Sequence, residues 1–136
     1  MDCVSGKVVN NLIVFFYSPI IEKGKITRQK LKRYPEILKK EGLFQIEVNG
    51  RLYFDEPNFS VNEFLMYADK WIFNEDKSQD MNYFCVDTDE NPLISFSMKN
   101  DRWYIDSPWK LFECNDSFSR DELEKAVVEL EKSVGY

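Results

Sequence analysis

Residues 94–106, ISFSMKNDRWYID, alternate apolar and polar, reverse at Asn100-Asp101, and alternate again. Successive side chains of a strand point to opposite faces. Asn and Asp also suit the left-handed backbone of a two-residue hairpin turn. Such a turn pairs Lys99 with Arg102, Met98 with Trp103, Ser97 with Tyr104, Phe96 with Ile105 and Ser95 with Asp106. Phe96, Met98, Trp103 and Ile105 then share one face, and Ser95, Ser97, Tyr104 and Asp106 share the other. A slip of one residue would reverse both faces. The stretch therefore predicts an antiparallel sheet buried on one side, with Trp103 in the core.

Further strands follow the same logic. Val8 to Tyr17 is rich in β-branched and aromatic residues and reads as a strand ended by Ser18-Pro19. Leu43 to Phe54 holds Asn49-Gly50, a strong hairpin signal. A two-residue turn there would pair Ile46 with Tyr53. A three-residue turn with a bulge pairs Val48 with Leu52 and Ile46 with Phe54, and is preferred because it keeps apolar residues on one face. Tyr83 to Asp87 reads as another strand, followed by the turn DTDENP.

Two helices carry start signals. Ser60 with Glu63, and Ser119 with Glu122, have the spacing of a capping box. Phe59 with Phe64, and Phe118 with Leu123, have the spacing of a hydrophobic staple. Phe64, Leu65, Ala68, Trp71 and Ile72 form one apolar stripe, and Leu123, Ala126, Val127, Leu130 and Val134 another. Gly135 stops the second helix. Between Ile26 and Gly42, Leu31, Tyr34, Ile37 and Leu38 recur at helical spacing, broken by Pro35; the segment reads as two short helical turns, or as a loop followed by a helix from Pro35 to Lys40, with Gly42 a natural stop. The expectation is a single α+β domain over 1–136. It has an antiparallel sheet of five to seven strands, with two or three helices packed on one face.

Composition narrows the function classes. No apolar run approaches the ~20 residues that span a bilayer. The start, MDCVSGK, lacks the build of a signal peptide, so a cytoplasmic address is expected. Cys3, Cys85 and Cys114 are odd in number and widely spaced, which suits reduced packing thiols. The chain has no histidine, which removes the commonest general base and zinc ligand. From Glu22 to Glu41 eight basic residues face three acidic ones, a local +5 within a net charge of −6, so the remainder carries −11. An acidic body disfavours nucleic acid and suits a protein partner with a basic surface. The basic run itself has only Tyr34 between its charges and reads as a solvated surface, not a membrane-binding element.

Asp87, Asp89 and Glu90 fall on one turn, without the spacing of a calcium loop. No glycine-rich phosphate loop is present, and neither a metal nor a cofactor is expected. Asp106, Glu113 and Asp116 could make a carboxylate pair for acid–base work, but nothing sets their separation. Tyr104 and Asp106 belong to the polar face of the hairpin, and Trp109 follows Pro108 in a loop. Tyr and Trp are common anchors at protein interfaces. Tyr104, Asp106, Trp109, Glu113, Asp87, Asp89 and Glu90 are therefore the candidate partner-binding residues.

The stretches FDEPNFSVNEFLMYADKW, NPLISFS and WYIDSPW, within residues 43–130, resemble small acidic bacterial proteins. Some of these act as immunity partners of polymorphic toxins. The resemblance implies a non-enzymatic inhibitor that covers a toxin domain, and it transfers no residue role. Two alternatives stand beside it. A small carboxylate-based enzyme or ligand-binding domain expects a concave pocket holding at least two acids. A homodimer of structural or regulatory role expects a large apolar, self-complementary patch.

Overall fold

The hairpin of 94–106 forms in the register the alternation requires. Strands Ile94–Lys99 and Arg102–Asp106 pair Met98 with Trp103, Phe96 with Ile105 and Ser95 with Asp106. Asn100 and Asp101 turn the chain with φ of 53° and 63°. Phe96, Trp103 and Ile105 are buried, while Met98 at the tip is exposed.

This computed structural model describes residues 11–19 and 41–136. In chain order the elements are β1 (Ile13–Pro19), β2 (Glu41–Val48), β3 (Arg51–Ser60), α1 (Val61–Ile72), β4 (Met81–Tyr83), β5 (Ile94–Lys99), β6 (Arg102–Asp106) and α2 (Arg120–Val134). The basic run, the helix expected over 35–40 and the first residues of the strand expected from Val8 lie outside the described residues.

The α+β class holds, but the single sheet does not. The six described strands form two antiparallel three-stranded sheets, ordered β1-β2-β3 and β4-β5-β6. The returning chain explains why β3 and β6 do not join. Trp103 and Phe118 exchange two backbone hydrogen bonds of 2.8 Å, which occupy the free edge of β6. Leu111 N–H donates to the Tyr53 carbonyl at 2.8 Å, which occupies the edge of β3. Residues 107–118 thus take edge groups that a continuous ladder would use. Alternation reports which residues share a face, but not which distant strand lies alongside.

The Asn49-Gly50 hairpin combines the two registers weighed above. Its turn has two residues, with φ of 52° and 81°, and Val48 pairs with Arg51. The bulge comes later, so that Glu47 pairs with Leu52 and Ile46 with Phe54. Tyr53 and Phe54 are then both buried. The Tyr53 hydroxyl reaches across to donate to the Ile105 carbonyl at 3.4 Å. Gly42 is a strand residue. It lies in β2 opposite Pro19 and Phe59, where a Cβ would overlap the Ser18 carbonyl oxygen.

The strand expected over 83–87 is displaced to Met81–Tyr83. The Asn91 amide explains the early stop. It accepts from Cys85 N–H at 2.8 Å and donates to the Cys85 carbonyl at 3.1 Å, so both groups are lost to the ladder.

The two cap signatures also part. Ser119 accepts from Glu122 N–H at 3.1 Å, and Glu122 accepts from Ser119 N–H at 2.7 Å, a complete capping box. Ser60 caps nothing with its side chain, because it is still paired in β3 opposite Glu41. Glu63 instead accepts the Tyr83 hydroxyl at 2.6 Å. The stripes of both helices are buried in one aromatic core, with Ile72 at its margin. Phe15 of β1 stacks on Phe96 of β5, centroids 6.1 Å apart, so the two sheets share that core. Among the described residues no helix is long and apolar enough to cross a membrane.

Candidate partner-binding surface

Two turns meet at one end of the β4-β5-β6 sheet. The first, between β4 and β5, is organised by Asn91. Besides its bonds to Cys85, its amide donates to the Thr88 carbonyl at 2.7 Å, and Thr88 Oγ1 accepts from Glu90 N–H at 3.0 Å. With the backbone tied inward, Asp87, Asp89 and Glu90 are left exposed. Asn91-Pro92 is a cis peptide.

The second turn follows β6. Ser107 is buried, and its hydroxyl accepts from Trp109 N–H at 3.0 Å. The Ser107 carbonyl accepts from Lys110 N–H at 3.3 Å. This serine turn sends Lys110 back over the end of β6. Its Nζ stands 3.2 Å from Asp106 and 3.5 Å from Glu113. The hydrogen bond and charge of Asp106 raise the Lys110 pKa. Trp109 is about one-third exposed (36%), and its inner side lies against buried Phe54, centroids 6.4 Å apart and planes 16° from parallel.

Two clefts open beside these turns. One, of about 310 Å³, is lined by Asp89, Glu90, Ser95, Asp106 and Lys110 among others. The other, of about 190 Å³, has Asp87, Thr88, Glu56, Phe59 and Trp109 on its walls. Of the seven candidates, Asp87, Asp89, Glu90, Asp106 and Trp109 line a cleft, and Glu113 is joined to the first through Lys110. Tyr104 stands apart. It shares the outward face with Asp106, half buried opposite Ser97, and lines neither cleft. Asp116 also lies elsewhere, accepting from the Asn49 amide at 3.1 Å. Among the described residues no cluster of three or more metal-ligating side chains forms.

Sequence reasoning passed over Lys110, Ser107 and Asn91. The first had a signal: Asp106, Lys110 and Glu113 are spaced so that one turn of chain brings the amine between two carboxylates. Asn91 had none beyond the Asn-Pro pair.

Beneath this surface the ionisable groups are held neutral. Burial, followed by the charge of Asp106, raises the Tyr53 pKa. Burial raises that of the Cys114 thiol. Neither contributes charge near neutral pH, so the charge of these turns is that of their exposed acids and Lys110.

A family model described as a domain of unknown function (DUF7878) matches residues 13–135, nearly the whole chain. Searches of the curated proteins and of the solved structures give no match.

Proposed function

The chain belongs to the DUF7878 family, and we propose that it is a non-enzymatic, cytoplasmic protein-binding domain whose partner presents a basic surface. The observation that carries this reading is a pair of clefts beside the same two turns: Asp89, Glu90 and Asp106 line one, with Glu113 joined to it through Lys110, and Asp87 lines the other with Trp109, which is about one-third exposed. Exposed carboxylates speed encounter with a cationic partner, whereas a desolvated aromatic anchor supplies affinity. Lys110 neutralises part of the acidic surface, and a partner cation would compete with it for Asp106. An immunity-type inhibitor that covers a basic toxin domain is the specific form proposed.

The test is capture of the tagged protein's partner from its native host, followed by binding to the purified pair. Asp89→Lys, Glu90→Lys and Trp109→Ala should each weaken the complex, and moderate salt should weaken the wild-type complex. Unchanged binding in all three variants would remove these turns from the interface.

A second reading draws on the 310 Å³ cleft alone. Three carboxylates and one amine around a concavity suit a small cationic ligand. That reading expects Trp109→Ala to leave binding intact while Asp106→Asn abolishes it.

A further inference from the structure

We draw no further inference here: the strongest candidate, the groove of about 870 Å³ between strand β1 and helix α2, is an apolar face for which nothing in the described residues shows what covers it.

Discussion

Trp109 lies nearly parallel to Phe54, with ring centroids 6.4 Å apart. One ring is about one-third exposed and the other is fully buried. The contact joins the candidate surface directly to the aromatic core, because Phe54 also packs against Phe44 and Phe59. A ring held in this way loses little freedom when a partner covers it.

The two rings should therefore respond differently to truncation. Trp109→Ala is expected to cost about 2–3 kcal/mol of stability, as the loss of one ring contact and of its buried area, and to weaken partner binding about tenfold or more. Phe54→Ala is expected to cost about 3–5 kcal/mol through a core cavity. Denaturant melts and titration calorimetry separate the two. Equal losses of stability would mean that Trp109 is simply core.

Ser60 and Ser119 have the same sequence signature and different roles. Ser119→Ala should cost about 1 kcal/mol because it leaves Glu122 N–H without its cap. Ser60→Ala should cost less than about 0.5 kcal/mol, since its hydroxyl caps nothing. Urea midpoints of the two variants measure the difference, and similar losses would contradict it.

Arg120 ties the start of α2 to the end of α1. It donates to the Trp71 carbonyl at 2.8 Å and to the Lys77 carbonyl at 2.8 Å, and it pairs with Glu124 at 2.6 Å. Its guanidinium also lies 4.0 Å from the centre of the Trp71 ring. Arg120→Met should cost about 2–3 kcal/mol. Arg120→Lys should recover little, because an ammonium cannot match the planar fork. Thermal melts of both variants decide this; full rescue by lysine would show that charge alone matters.

Glu131 of α2 makes stability depend on pH. Burial, followed by a hydrogen bond and charge from Asp69, pushes its carboxyl up to about 7 from the ordinary 4.5. The folded state then holds the proton more tightly than the unfolded chain. This contribution is fully present below 4.5 and is lost as pH rises through 7. Glu131→Gln should flatten the pH dependence over that window and stabilise the protein by about 1 kcal/mol at pH ~8, solvent screening included. Melts across the range would expose an error if the variant were less stable than the parent at the alkaline end.

Legibility in the sequence followed the range of the interactions. The 94–106 register was readable because alternation and a two-residue turn agree and leave one solution. The α2 cap was readable because both partners lie within one turn of chain. The two-sheet division was not, because it depends on Phe118 and Leu111 reaching strands far from them in sequence. The Ser60 cap misled because a strand hydrogen bond and Tyr83, some 20 residues away, compete for the same groups. In the candidate surface the exposed acids and Trp109 were visible from composition and turn chemistry. Strand face alone groups Tyr104 with them, and face does not decide distance from the turns. Lys110 is not legible from the acidic residues alone, because its place between Asp106 and Glu113 is set by the turn at Ser107.

The most direct measurement is the salt-dependent affinity of the purified complex, for wild type and for a variant carrying Asp89→Lys and Glu90→Lys. Both side chains are exposed, so the fold should tolerate the change. The expected result is an affinity at least tenfold lower, with most of the change in the association rate and a shallower salt dependence. An unchanged affinity and salt slope, with the variant folded by circular dichroism, would contradict the assignment of this acidic surface to partner binding.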